Sequence, residues 1–370
     1  MKEDQWYNVN NIGEIDTPAL LVYPGRVKKN IEEMVRIAGG PENLRPHVKT
    51  YKMSEVVRLQ RQAGIKKFKC ATIAEAEMLA LAGAPDVLLA HQPVGPKIER
   101  LYELTRFYPR TVFSAIVDNT DTVDRISEFF ARGRNALDIF IDVDSGNHRT
   151  GAEPSSVIDL FAHAWNAPGV SPVGLHVYDG HIRENDPFSR KRHCDDEFKA
   201  IPDIAARIQS RFGVDPEIVA GGTPTFPIHA KRNKVICSPG TVLFWDWSYD
   251  DSFKDLSFNI AAVLVTRVIS RLAGNFICLD LGHKAVASEN PLNSRVKFPD
   301  LPDAKFIGHS EEHLVVNVGD NTAFAVGQAI YGFPFHICPT VALYEKVYVI
   351  EENKFTATWR VIARDRMIRH

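Results

Sequence analysis

The stretch Arg45-Pro-His-Val-Lys-Thr-Tyr-Lys52 sets a lysine between a histidine and a threonine, just beyond the apolar Leu44. A lysine at the carboxyl end of a buried strand suits Schiff-base chemistry, because burial favours the neutral amine that attacks a carbonyl. Lys49 is that candidate. Two later turns suit an anion: Gly221-Gly222-Thr223-Pro224 and Ser238-Pro-Gly240-Thr241 each follow a short apolar run. Backbone N–H groups in such turns can converge on one phosphate, and an amine beside an anion clamp would suit a phosphorylated aldehyde cofactor. Pro334-Phe-His336-Ile-Cys338-Pro-Thr340 suits a metal. Read as a strand, it would place the His336 imidazole and the Cys338 thiolate on one face, as half of an open Zn²⁺ site. Arg149 in Asp144-Ser-Gly-Asn-His-Arg149-Thr-Gly151, together with His176, Tyr178 and His181, completes the polar set; Glu75 and Glu77 read as solvated helix residues.

These residues need a scaffold that brings their loops together. Short apolar runs end at Lys49, Thr72, Ala90, Val117, Val143, Tyr178, Ala220 and Ser238, which makes eight expected strands. Between them, Ser54–Ala63, Ile73–Ala82, Lys97–Phe107, Asp121–Arg132, Pro154–Trp165 and Asp195–Phe212 carry helical spacing. The alternation predicts an α/β fold, a (β/α)8 TIM barrel over 25–255 whose strand ends face one mouth. After 255 the rhythm changes to runs rich in Val, Ile, Thr, Tyr and Phe: Ile260–Ser270, Phe276–Asp280, His313–Val318, Ala323–Ala329, Val341–Ile350 and Phe355–Arg364. They predict a mainly β domain over 256–370 that carries the His336-x-Cys338 motif, and residues 1–24, with a strand at Ala19–Tyr23, are expected to join it.

Composition narrows the function classes. With 45% hydrophobic and 24% charged residues, 370 residues describe an ordinary globular chain with room for a barrel and a smaller domain. A formal charge of −2 gives no electrostatic reason to expect nucleic acid or a membrane surface as partner. The five cysteines are odd in number and scattered, which points to a reducing compartment, and the polar start of the chain lacks the pattern of a signal peptide; the expectation is cytoplasmic. A small metabolite is the expected partner.

Taken together, Asp16-Thr-Pro-Ala-Leu20, Arg45-Pro-His-Val-Lys-Thr-x-Lys52, Asp142-Val-Asp-Ser-Gly-x-x-Arg149-x-Gly151, Tyr178-x-Gly180, Gly221-Gly-Thr223 and His336-x-Cys338-Pro-Thr340 resemble the D-threonine aldolase and D-serine dehydratase family, in matching order over nearly the whole chain. The resemblance implies the alanine-racemase-like fold of enzymes using pyridoxal 5'-phosphate (PLP), usually homodimeric, acting on D-amino acids. By it, Lys49 would carry PLP, Arg149 would meet its phenolic oxygen or the substrate carboxylate, and Tyr178 would contact the cofactor. Gly222, Thr223, Gly240 and Thr241 would hold the phosphate, and His336 with Cys338 a divalent metal. Where many of the aldolases have aspartate, Cys338 favours Zn²⁺ over Mn²⁺ or Mg²⁺ and resembles the dehydratase branch. The implied reaction is β-elimination from a D-3-hydroxy amino acid of the D-serine type, with retro-aldol cleavage as the alternative. A racemase would need no metal, and a PLP homeostasis protein is much shorter. Two departures stand out: Tyr51 replaces a histidine common in the family, and at the spacing of a histidine of the aldolases this chain has Glu184. His181, nearer the tyrosine, is then the candidate catalytic group.

Overall fold

The computed structural model describes residues 5–133 and 136–369. The chain divides into two compact units. One comprises Glu32–Lys49, Ser54–Gly240 and the tail from Asp365; the other comprises the residues up to Ile31, Thr50–Met53 and Thr241–Arg364. Residues 1–4 and 370, which belong to the expected β domain, lie outside the described residues. No helix among the described residues is long and apolar enough to cross a membrane.

In the first unit, seven parallel strands lie side by side in chain order: Lys67–Cys70, Asp86–Leu89, Val112–Val117, Leu137–Val143, Val170–Val177, Glu217–Ala220 and Val235–Cys237. The eighth place, expected for a strand ending at Lys49, is filled differently. Leu44 bridges Cys237 on one side and His47 bridges Lys69 on the other, with the N–H groups of Arg45 and His47 donating to the Cys237 and Pro239 carbonyls at 2.8 and 2.9 Å. Pro46 has no N–H to give, so a continuous ladder is interrupted, and Lys49 sits beyond it on the 3-10 turn Val48–Thr50. Leu88, Ile116, Phe140 and Val219 fill the interior of the ring, with Val173 and Ile236 against them.

Helices return the chain between strands, and the starts of three of them are capped by side chains the sequence supplies, Thr72, Asn119 and Asp186. Thr72 accepts from the Glu75 N–H at 3.1 Å and Asn119 from the Thr122 N–H at 2.9 Å, satisfying donors a first turn leaves open. The helix expected over Asp195–Phe212 is two helices, Pro187–Phe198 and Ile201–Phe212. Pro202 explains the break, since its ring clashes with the carbonyl four residues back and its missing N–H is harmless only in a first turn. Glu75 and Glu77 are buried and not solvated. The Glu75 carboxylate accepts from the Ala71 N–H at 2.6 Å, and Glu77 accepts from the Tyr108 hydroxyl at 3.0 Å and the Arg369 N–H at 3.1 Å. These bonds replace the water that burial removes.

The second unit is a nine-stranded, mostly antiparallel sheet. Its main order is Lys305–His309, Leu314–Asn317, Phe276–Leu279, Ala262–Leu272, Ala19–Val22, Lys346–Glu351 and Lys354–Arg360, with Ala329–Pro334 also on Ala262–Leu272 and Val296–Lys297 beyond it. The N-terminal strand is central, antiparallel to Ala262–Leu272 and parallel to Lys346–Glu351. The division falls after Gly240 and not near 255. Buried Asn30 explains this by donating to the carbonyls of Leu243 and Asn259 at 3.2 and 2.7 Å, which ties 241–259 to the N-terminal segment. The strand expected over Ala323–Ala329 begins only at Ala329, because Gly327 turns the chain at a φ of +90°. The run expected from Val341 opens in the helix Ile337–Ala342, and its strand starts at Lys346.

Candidate active site

A cavity of about 560 Å³ opens in the barrel unit, lined by His47, Lys49, Lys69, Asp142, Arg149, His176 and Tyr178 among others. Three of these are basic side chains gathered on one ring. The Lys49 and Lys69 ammonium nitrogens lie 5.6 and 5.5 Å from the Tyr178 ring centre, and the Arg149 guanidinium carbon 5.0 Å. The only carboxylate among those seven is committed: Asp142 receives Nδ1 of His176 at 2.7 Å and the Thr150 hydroxyl at 3.0 Å. A cavity so charged suits an anionic ligand.

Lys69 is fully buried on the strand Lys67–Cys70, donating to the Ser238 hydroxyl and standing 3.4 Å from Nε2 of His176. Burial first, then the charge of Lys49, lowers its pKa to about 7. Burial and the charge of Lys69 likewise hold the His176 pKa below the ordinary imidazole value, against the pull of Asp142. Sequence reading missed Lys69. The signal was the alternation Lys67-Phe-Lys69-Cys70, which puts both lysines on one face of a strand.

The turn Gly221-Gly222-Thr223 is built by another residue the sequence did not single out. Buried Asp179 accepts from the Gly222 N–H at 3.0 Å, the Thr225 hydroxyl at 2.8 Å and Nε2 of His229 at 2.8 Å. Burial pushes its carboxyl pKa up, but the bonds from His229, Thr225 and Gly222 outweigh that and hold it below the usual range. Gly221 needs its φ of +83°, and a side-chain carbon there would meet the His229 ring at 2.9 Å. A side-chain carbon at Gly222 would rest 3.5 Å from the Tyr178 ring, so glycine leaves that side of the tyrosine open. The Gly240 N–H donates to the Thr223 hydroxyl at 3.3 Å, joining the two glycine turns. The Gly222 and Gly240 N–H groups are thus given to Asp179 and Thr223 and shape the turn, which lies beside Tyr178; Lys49 and Arg149 on that same ring supply the amine and the cation that suit the carbonyl carbon and the anionic groups of PLP.

His181 lies elsewhere in the barrel unit, its ring centre 5.4 Å from that of His193. Thr241 belongs to the sheet unit, in the 3-10 turn Thr241–Leu243. There the strand expected at His336-x-Cys338 is replaced: His336 is extended, with φ −130° and ψ 102°, and Cys338 lies in the first turn of the helix Ile337–Ala342. Pro339 makes this possible, since a first turn needs no N–H from it. The two side chains still meet. Burial lowers the His336 pKa, but the hydrogen bond to Cys338 and the Glu289 carboxylate, 2.6 Å from Nδ1, raise it to about 9. Cys338 Sγ lies 3.1 Å from the Thr50 hydroxyl and 3.5 Å from that of Thr241. Buried Asp246 accepts from the Ile337 N–H at 3.0 Å and so holds the turn. One nitrogen and one sulfur donor suit a zinc-class ion, and a carboxylate on the other imidazole nitrogen is the usual outer support of a ligating histidine.

Comparison with known proteins adds to this geometry. A family model described as "Alanine racemase, N-terminal domain" matches residues 22–246, and one described as "Putative serine dehydratase domain" matches 261–350. The chain is 25% identical over 361 residues to a D-threonine aldolase of Arthrobacter sp., covering 95% of this chain and 94% of the relative. It is 23% identical over 373 residues to a D-threo-3-hydroxyaspartate dehydratase of Delftia sp. (strain HT23), covering 93% and 97%. The crystal structure of D-threonine aldolase from Filomicrobium marinum superposes with a TM-score of 0.86 at 25% identity, over 95% of this chain and 96% of that one.

Proposed function

This chain belongs to the family of the alanine racemase N-terminal domain, and from that premise we propose a lyase that uses PLP and a divalent metal ion on D-3-hydroxy amino acids, of the D-serine dehydratase type. The observation that carries the reading is the gathering of Lys49, Arg149 and Lys69 on the Tyr178 ring, in a cavity whose own carboxylate is already paired.

When bound, PLP supplies an electron sink for charge at Cα, and the ion supplies a Lewis acid for a hydroxyl. Lys49 offers the amine that carries the cofactor and moves the Cα proton. Arg149 binds and orients an anionic group, either phenolic oxygen or carboxylate. Within the barrel unit, the turn Gly222-Thr223 with Gly240 holds the phosphate, and Asp179 keeps that turn in shape. His336 and Cys338 are the metal ligands, with Zn²⁺ preferred for its affinity toward sulfur. The active species is proposed to be a homodimer.

The test is incubation of the protein, loaded with PLP and Zn²⁺, with D-serine, D-threonine and D-threo-3-hydroxyaspartate in separate reactions. A keto acid and ammonia are expected, with pyruvate from D-serine. Glycine and acetaldehyde from D-threonine would instead make retro-aldol cleavage the reaction, and racemised substrate alone would sink both.

A further inference from the structure

A second cluster of metal-ligating side chains stands in the barrel unit, outside the Lys49 cavity. His193 and Glu197 are four residues apart on the helix Pro187–Phe198 and share a face, with Nε2 3.7 Å from the carboxylate. His181, on the turn after the strand Val170–Val177, completes the group. One ligand atom from each of the three lies within 4.8 Å of the others.

Two further observations point to a ligand. The Glu184 carboxylate lies 2.6 Å from Nδ1 of His193, which leaves Nε2 facing Glu197 and His181. A carboxylate on the far nitrogen is how ligating imidazoles are commonly oriented. Both ring nitrogens of His181 are sealed from solvent and have no hydrogen-bond partner. Such an atom costs about 1–3 kcal/mol when left unpaired, and a bound cation would satisfy one of the two.

We propose that His181, His193 and Glu197 bind a zinc-class divalent cation, with water in the remaining position, as a site separate from His336 and Cys338. Two imidazoles and a carboxylate form the ligand set of open zinc sites, whose bonds of about 2.1 Å put ligand atoms ~3.4 Å apart. The His193–Glu197 spacing of 3.7 Å is close to that already. Nitrogen donors make the site a poor one for Ca²⁺ or Mg²⁺, which take oxygen. The ion would fasten the turn that leaves Tyr178 to the following helix, and so act on the cavity by holding one of its walls.

Cobalt titration separates this site from the other. In the PLP-loaded His336→Ala/Cys338→Ala variant, Co²⁺ is expected to bind at one ion per chain, giving d–d absorption without a thiolate charge-transfer band. Adding Glu197→Gln, which keeps the volume, or His193→Ala should remove that ion while the cofactor's visible spectrum and the thermal transition persist. Failure of the double variant to bind Co²⁺ overturns the proposal, as does an ion that survives Glu197→Gln. A thiolate band in the double variant would place the ion on another cysteine and overturn it equally.

Discussion

Nζ of Lys69 lies 3.4 Å from Nε2 of His176, whose other nitrogen is turned to Asp142 at 2.7 Å. The carboxylate fixes the tautomer, so Nε2 presents a lone pair and the buried lysine is its donor. Lys69 titrates near pH 7 where a lysine ordinarily holds its proton to 10.5. Below about pH 7 it is protonated in the folded and unfolded chain alike. Between about 7 and 10.5 the unfolded chain holds one proton more, so stability rises with pH across that window. Lys69→Met is expected to remove this rise, read as the slope of unfolding free energy against pH in urea titrations of the cofactor-free protein. Parallel slopes for the two proteins would show that Lys69 keeps its ordinary proton affinity.

Lys49→Ala should leave the fold intact and abolish covalent retention of PLP. The expected readout is loss of absorbance at ~410–430 nm, the range of a lysine-bound cofactor, with the colour removed by desalting. A variant that stays yellow after desalting would move the covalent role to another amine, with Lys69 the nearest candidate on the same ring.

Asp179→Asn changes one oxygen, yet it replaces a buried acceptor of three hydrogen bonds with a group that can accept fewer and must donate. The Gly222 and Thr225 donors share Oδ1 while His229 meets Oδ2, so the amide loses either that pair or the His229 contact, and in both cases the turn proposed for the phosphate is loosened. Each bond to a charged group contributes about 1.5–3 kcal/mol, so the expected fall in PLP affinity is about tenfold or more. Equilibrium dialysis of PLP checks it, and an unchanged affinity would separate Asp179 from the anion cradle.

Much of this was legible in the sequence, and the parts that were not share physical causes. The barrel strands were readable because short apolar runs bounded by turns recur between helical stretches. The ends Val117, Val143 and Ala220 coincide with observed strand ends. The run around His336 misled because a short apolar stretch does not distinguish a strand from a buried helical turn. Pro339 was the available sign, since it fits a first helical turn and interrupts a ladder. Lys69, Glu75 and Glu77 were hidden for another reason. Charged residues are normally exposed, and it is the partners that make their burial tolerable: His176, Ser238, Tyr108 and Arg369, brought in from distant positions for Lys69 and Glu77, and the local Ala71 N–H for Glu75.

Cys338→Ser keeps a hydroxyl near Thr50 and Thr241 but removes the soft donor. Cobalt-loaded wild-type protein should show a thiolate charge-transfer band that this variant lacks, and its lyase rate with Zn²⁺ should fall while the PLP spectrum is unchanged. An identical band in the variant would show that the ion sits on other sulfur.

Arg45 offers the contrast of a charged residue whose hydrogen bonds all serve the scaffold, with only a minor charge effect on Lys69. Its buried guanidinium binds Asp86 through two bonds, at 2.6 and 3.0 Å, and Glu217 through one at 2.8 Å, all at strand starts, away from the strand ends that carry the catalytic candidates. Arg45→Met would strand two carboxylates that fold with a cation between them. Removing one partner of a buried pair costs about 3–5 kcal/mol. Asp86 and Glu217 retain 29% and 23% side-chain exposure, and water can reach them, so the expected loss is nearer ~2–3 kcal/mol. Lys67 remains on Glu217 and softens it further. Urea denaturation should register the loss while PLP affinity and turnover, measured where the variant is folded, stay at wild-type levels. A variant of normal stability with impaired turnover would overturn this division between the two ends of the barrel.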